Sequence, residues 1–203
     1  MLYLGTHNSG TAGPLVWWQW IFTPIFQLVS KCQNLTISEQ LDMGVKVFNL
    51  QVTLYCGEWH FSHGLCIYKE KLEDALLEMK KYASSDEPIY IQLYLDKNFF
   101  LGQNKERFRH LVLELNDWTK DKEIYILSTW IEGTDEHILS DTKIKLTEKY
   151  WTMSWAKTFG KTWVDKLPLP KRHAKKYNGD YKYKYDNWSD DREYLMLDFV
   201  EIP

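Results

Sequence analysis

The sequence predicts an α/β protein built as a compact, irregular (β/α)8 TIM-type barrel, on three observations. Short apolar runs of strand length alternate with longer segments of 3.6-residue period, the pattern of βα units. Polar residues suited to chemistry, His7, Asn8, His63 and Asp96, fall just past strand-like runs, where α/β sheets present reactive groups. The 203 residues make one domain over 1–203 and sit near the lower limit for such a barrel, so some helices must be short or degenerate. An open doubly wound sheet is the alternative layout.

The elements follow in order. Residues 2–4 form a first strand and Thr6 to Thr11 a polar loop. Residues 15–29 read as a Trp-rich helix kinked at Pro24. Thr36 and Glu39 make a capping box opening a short helix that Gly44 closes. In the strand 45–54, alternation sets Val45, Val47, Asn49 and Gln51 on one face and Phe48, Leu50 and Val52 on the other. Gly57 supports a turn before Trp59, and Ser62-His63-Gly64 closes that short segment. Helices at 70–83 and 105–120 carry apolar stripes (Leu72, Ala75, Leu76, Met79; Phe108, Leu111, Leu115, Trp118), each followed by a strand, at 88–96 and 123–128. Beyond them the pattern weakens to a short helix near 135–139 and strands near 143–146 and 194–200, with Asp198 inside the last.

Composition excludes some partners. Lys+Arg 25 against Asp+Glu 28 gives a net charge of −3, so electrostatic capture by nucleic acid or an anionic membrane is not expected. Ten Trp and thirteen Tyr exceed what a core of this size needs. Trp17, Trp18, Trp20 and the aromatics of 177–185 are therefore candidates for peripheral lipid contact. Segment 171–191 mixes Lys and Tyr with Asp180, Asp186, Asp190 and Asp191, the composition of a solvated loop or of a lid over the barrel mouth. Cys32, Cys56 and Cys66 match no zinc spacing and read as small buried thiols, Cys56 with Cys66 being the pair that an oxidising compartment would bridge. No secretory signal is visible and the run 15–29 is broken by Gln19, Thr23, Pro24 and Gln27, so the expected location is cytoplasmic, or that of a virion-associated or processed secreted form. His60 reads as exposed, and His110, His137 and His173 have no catalytic neighbours.

Gly5-Thr6-His7-Asn8-Ser9-Gly10-Thr11, then 37–52 with its Gly44 and Asn49-Leu50-Gln51, then Ser62-His63-Gly64, resembles the X region of phosphatidylinositol-specific phospholipase C. The match runs over about the first hundred residues and is similar to the short bacterial and bacteriophage type. The resemblance implies a phosphoric diester hydrolase of lipid metabolism in which two imidazoles divide the proton transfers, His7 as base and His63 as acid. Asp198 is similar to the aspartate that bacterial members pair with the base. Departures are equally informative. Where relatives place calcium ligands or a phosphate-binding Arg, this chain has Asn8, Asn49, Gln51 and Tyr94, or Asp96 if that strand is longer, and only Asn8 agrees. Neutral amides bind phosphate or inositol hydroxyls by hydrogen bonds but make a poor calcium site, so no metal and no cofactor is expected. Lys69 and Lys97 are candidates for the missing cation, and Trp59 for the pocket lining; Lys46 points away by alternation.

The leading reading is a metal-independent enzyme acting on an inositol phospholipid or related phosphodiester. The alternative keeps the barrel without catalysis, as a binding or structural part of a larger assembly such as a virus particle. A glycerophosphodiester or sphingomyelin-type enzyme ranks last, because the Glu-x-Asp metal pair of those relatives is replaced by Asn49-Leu50-Gln51.

Overall fold

The computed structural model describes residues 3–136, 138, 147–151, 171, 174, 175, 178 and 193–202. Within them the chain forms an 8-stranded curled sheet with helices on its outer face. The strands are β1 (Tyr3–Thr6), β2 (Val45–Tyr55), β3 (Glu58–His63), β4 (Cys66–Lys71), β5 (Ile89–Leu95), β6 (Ile124–Ile131), β7 (Thr147–Trp151) and β8 (Glu193–Leu197). The helices are α1 (Thr23–Ser30), α2 (Ile37–Asp42), α3 (Leu72–Tyr82) and α4 (Lys105–Thr119). Parallel ladders join β6 to β5, β5 to β2, β2 to β1, β1 to β8 and β8 to β7, the arrangement of a (β/α) barrel wall.

One register decides the site. Val47 pairs with Gly5 of β1 on one edge of β2 and with Tyr90 of β5 on the other. β1 ends at Thr6 opposite Phe48, but β2 continues to Tyr55. Val52 still pairs with Leu95 of β5, so its partner Phe61 of β3 occupies the edge that β1 has left. The hairpin turn lies at Cys56 and Gly57, both at positive φ (51° and 87°), the type I′ geometry that suits antiparallel strands. From there β3 runs back toward the end of β1 and brings His63 down onto His7.

From Val47 onward the alternation read in β2 separates two cores, whereas Val45, expected on the face of Val47, packs with the outer one because the register against β1 shifts between the two. Phe48, Leu50 and Val52 pack outward with Ile37, Leu41, Leu72, Ala75, Met79 and Phe108. Val47, Tyr90, Tyr194 and Met196 fill the barrel interior, with Tyr3, Tyr125 and Leu127 against them. Asn49 and Gln92 follow Val47 and Tyr90 along their strands, so a polar layer adjoins this aromatic plug. The capping box is formed: Thr36 Oγ1 accepts from Glu39 N–H at 3.3 Å, and the Glu39 carboxylate accepts from Thr36 N–H at 2.8 Å.

Several expectations need correction. The single helix over 15–29 is a 3-10 turn, Trp17–Phe22, followed by α1, because Pro24 sits at the start of α1, where its fixed φ and missing N–H are tolerated. Strand β4 was not expected. It pairs with β3 through His63 and Cys66, and its run Cys66-Ile67-Tyr68 is buried although polar residues follow. β8 ends at Leu197, so Asp198 lies past the strand rather than inside it. His60 is buried, its Nδ1 2.9 Å from the Tyr68 carbonyl. All three cysteines are free: Cys56 is exposed at the hairpin turn and Cys66 buried in β4. The expected strand 143–146 and most of segment 171–191, with His137 and His173, lie outside the described residues. Among those described, no helix is long and apolar enough to cross a membrane.

Packing and burial each make a testable demand. A Cβ placed on Gly10 would lie 2.1 Å from Cγ of the buried Phe61 ring. Gly10→Ala should therefore destabilise the fold by about 1–3 kcal/mol in urea denaturation, as overpacking does, and an unchanged midpoint would contradict this close approach. Glu70 is pushed up to about 7, first by burial and then by the neighbouring Asp74 carboxylate. It holds its proton more tightly folded than unfolded, so its contribution is fully present below the ordinary value of 4.5 and is lost as pH rises through about 7. Glu70→Gln should match the wild type at about pH 4 and exceed it by roughly 1–2 kcal/mol at about pH 8, after discounting for partial exposure. A gap that does not widen with pH would show that Glu70 is solvated.

Candidate active site

His7 leaves β1 into a loop fixed at every turn. Its N–H donates to the Leu197 carbonyl (2.9 Å), Ser9 N–H to the Asn49 carbonyl (2.8 Å) and Thr11 N–H to the Asn8 carbonyl (3.1 Å). Asn8 takes the left-handed conformation (φ 46°) that Asn tolerates better than most side chains. Beneath the loop, the buried Gln33 side chain donates to the His7 and Leu197 carbonyls (2.9 and 2.8 Å) and accepts from Val200 N–H (3.2 Å). Asn178 donates to the Asp198, Phe199 and Ile202 carbonyls and holds the segment after β8 in place.

These supports aim the side chains. His7 Nδ1 is 2.8 Å from Asp198 Oδ1, both side chains buried. An ionised carboxylate only accepts, so Nδ1 carries the proton and the neutral ring keeps its lone pair on Nε2, the form a general base needs. His63 Nδ1 is 2.7 Å from the Ser30 carbonyl, which also only accepts. His63 therefore holds its Nδ1 proton, and its Nε2 is the position that gains and loses a proton. Burial and the nearby His7 charge push the His63 pKa down, against the Ser30 carbonyl and Asp198, which pull it up. A depressed pKa makes the protonated ring a stronger acid. The two ring centroids are 6.2 Å apart with their planes at 80°.

Cys32 is the small buried thiol expected, and it lies beside this site. Its Sγ is 3.5 Å from Asn8 Nδ2 and 3.8 Å from His63 Nδ1. Burial, and next the Asp198 charge, push its thiol well above the usual range, so the sulfur is protonated at neutral pH.

The remaining expected residues divide. Asn49 Oδ1 accepts from Asn8 N–H (3.1 Å), its amide donates to Gln92 Oε1 (3.3 Å), and Gln92 donates to Tyr194 OH (2.7 Å). Asn49 thus holds the His7 loop through neutral partners. Gln51 is half-buried, with its Oε1 buried and lacking a hydrogen-bond partner among the described residues. Tyr94 is half-buried and stacks on Trp130 at 6.5 Å. Asp96 lies under the His63 turn, where it accepts from Gly64 N–H at 3.4 Å. Burial and then the Glu132 carboxyl push its pKa well above the usual carboxylate range. Lys69 and Lys97 are exposed, and neither side chain is hydrogen-bonded or ion-paired with the histidines. Trp59 does not line this site: it packs on Phe108 at 6.0 Å beside a groove between α3 and α4 that also involves Leu76, Leu115 and Trp118. The donors are a poor match for a calcium ion: Asn8 Oδ1 lacks a hydrogen-bond partner among the described residues, but Asn49 Oδ1 is taken by Asn8 N–H, Gln51 is neutral and one Asp96 oxygen accepts from Gly64 N–H. Gln33, Asn178 and the Ser30 carbonyl had no sequence signal, since each acts through main-chain groups that only the fold brings together.

An apolar surface adjoins the site. Trp17 (73% exposed), Trp20 (67%), Ile25 (68%) and Phe99 (77%) face solvent. Trp18 meets Phe100 edge-on at 5.0 Å, joining the 3-10 turn to the loop after β5. Phe99 N–H donates to the Gly64 carbonyl (3.2 Å), so this loop is tied to the His63 turn.

Comparison with solved structures places this arrangement. A phosphatidylinositol-specific phospholipase C variant from Staphylococcus aureus superposes with a TM-score of 0.64 at 15% identity, over 97% of this chain and 84% of that one. The Listeria monocytogenes enzyme gives 0.62 at 13% identity, over 98% and 88%. The fold is that of phosphatidylinositol-specific phospholipase C. In sequence, the chain is 33% identical over 92 residues to the human PI-PLC X domain-containing protein 2, and equally to its mouse counterpart. The match takes in 43% of this chain but only 29% and 26% of those proteins, so the chain spans under a third of their length. No protein-family model matches. Within the phospholipase C fold, the chain's own residues bring together His7, His63, Asp198 and Asn8.

Proposed function

We propose that the chain is a metal-independent phosphodiesterase of the phospholipase C type, acting on an inositol phospholipid. The observation that carries this reading is the pair of imidazoles 6.2 Å apart, one hydrogen-bonded to a carboxylate and the other to a main-chain carbonyl. His7 Nε2 takes the proton from the inositol hydroxyl next to the phosphate, that oxygen forms a bond to phosphorus, and the glycerol oxygen leaves with a proton from His63 Nε2. The product is a cyclic phosphate. Asp198 stabilises the His7 imidazolium formed on the way, and the Gln51 amide is the group that hydrogen-bonds the inositol ring or its phosphate.

Access to a bilayer is assigned to the aromatic surface of the 3-10 turn, α1 and the loop after β5. The net charge of −3 gives no long-range attraction, whereas exposed Trp and Phe rings insert at the headgroup boundary. Support comes from a further Staphylococcus aureus phospholipase C structure of the same fold, at 14% identity, which concerns the modulation of that enzyme's membrane binding. The neutral amides at Asn49 and Gln51 favour a second reading, a barrel that binds a headgroup or joins a larger assembly without cleaving.

Turnover of phosphatidylinositol vesicles in the presence of EDTA separates the two. The enzyme reading expects cleavage that EDTA leaves unchanged and that His7→Ala and His63→Ala each lower by about 10²–10⁴-fold, the usual share of a positioned acid or base. Binding without cleavage by a folded wild type would establish the second reading. Trp17→Ala with Trp20→Ala should weaken vesicle sedimentation several-fold while leaving cleavage of a soluble aryl phosphodiester unchanged. Equal losses on both would place these tryptophans at the chemistry instead of the membrane.

A further inference from the structure

A sulfur, an imidazole nitrogen and a carboxylate oxygen converge in the site. Cys32 Sγ, one ring nitrogen of His7 and one oxygen of Asp198 lie within 4.8 Å of one another, all three residues buried. Zn–S bonds of about 2.3 Å and Zn–N or Zn–O bonds of about 2.0 Å separate tetrahedral ligand atoms by roughly 3.3–3.6 Å, so side-chain shifts on the order of 1 Å would close the trio on an ion.

We propose that His7, Cys32 and Asp198 form an inhibitory site for a borderline-soft divalent cation of the zinc class. The donor set selects the ion. Thiolate with imidazole suits zinc and cobalt, whereas calcium and magnesium demand oxygen ligands, which this cluster supplies only through Asp198. The site is also built in advance. Cys32 N–H donates to Thr11 Oγ1 (3.0 Å), and the Cys32 carbonyl accepts from Phe199 N–H (2.6 Å), which joins its backbone to the residue after Asp198. His7 is tied to the same segment through Leu197. Little ordering therefore accompanies binding.

His7 gives one ring lone pair, its single ring proton then sitting on the other nitrogen, Asp198 gives a carboxylate oxygen, and Cys32 releases its proton to solvent and binds as thiolate, with no change of oxidation state. His7 then has neither its carboxylate partner nor the freedom to accept a substrate proton, and turnover stops. The inhibitory consequence rests on the acid/base reading above; the binding of the metal does not.

Cobalt(II) reports the site directly, because a thiolate ligand produces a near-ultraviolet charge-transfer band. Wild-type protein should show that band on titration with Co2+, lose it when Zn2+ is added, and keep it when Ca2+ is added. Cys56→Ser should retain the band and folded Cys32→Ser should lack it, with Zn2+ affinity down at least roughly 100-fold. Asp198→Asn, which keeps the thiol, should weaken Co2+ binding at least tenfold and decides the matter if Cys32→Ser does not fold. Co2+ binding without a thiolate band, or a band that survives Cys32→Ser, overturns the site. In the activity arm, Zn2+ should abolish wild-type turnover and EDTA should restore it. Zinc bound with turnover intact overturns the inhibitory role, whereas absence of turnover in metal-free protein defeats the catalytic reading and leaves the cobalt spectrum to decide the site.

Discussion

The edge of β2 beyond Phe48 is the constraint on which the site depends. A parallel barrel strand needs a neighbour on each side, and β1 is too short to serve all eleven residues of β2. The unsatisfied main-chain groups of the longer strand are taken up by β3, which returns antiparallel from the Cys56-Gly57 turn. Because β1 and β3 share one edge and approach from opposite ends, the residues at their facing termini must meet. Those residues are His7 and His63. No attraction between two imidazoles is needed to explain their proximity; backbone hydrogen bonding dictates it.

A cost accompanies that arrangement. Two histidines, an aspartate, a thiol and several amides are buried near the aromatic plug, and each polar group left without a partner there would cost about 1–3 kcal/mol. The fold answers mainly with neutral groups: Gln33 serves two carbonyls and an N–H, Asn178 serves three carbonyls, and the chain Asn8–Asn49–Gln92–Tyr194 runs through uncharged donors and acceptors. This explains why amides stand where the resemblance led one to seek charges. An Asp at position 49 would face the Asn8 N–H on one side but the Gln92 carbonyl oxygen on the other, two acceptors opposed in a dry interior.

How far the sequence was legible follows from the range of each signal. Local signals held: the Thr36 and Glu39 capping box, the alternation in β2 from Val47 onward and the stripes of α3 and α4 depend on residues within one or two turns of each other. The two histidines were legible because their loops carry motif residues. Signals that exist only after folding were not. Nothing local marks Cys32 as a neighbour of His63, Ser30 as the carbonyl that sets the His63 tautomer, or Tyr68 as the acceptor that buries His60. β4 was missed because its polar end, Lys69-Glu70-Lys71, resembles the start of the helix that follows. Trp59 misled because alternation fixes a face but not which face is inside, and its face packs on α4.

The electrostatic character of the site follows from the same facts. A developing phosphorane carries negative charge that relatives are expected to meet with a fixed cation, and mutational data on comparable donors put such contacts at a few kcal/mol. Here Lys46 pairs with Glu87, Lys97 and Lys69 are exposed, and the group proposed to meet the phosphate is the Gln51 amide. An amide donor among buried groups would recover part of that stabilisation, since a hydrogen bond strengthens as the surrounding dielectric falls. Any positive charge at the reacting centre would then have to come from a protonated His63, which burial disfavours. Burial and the neighbouring His7 hold the His63 pKa down, so a proton placed on His63 is one that the ring gives up readily.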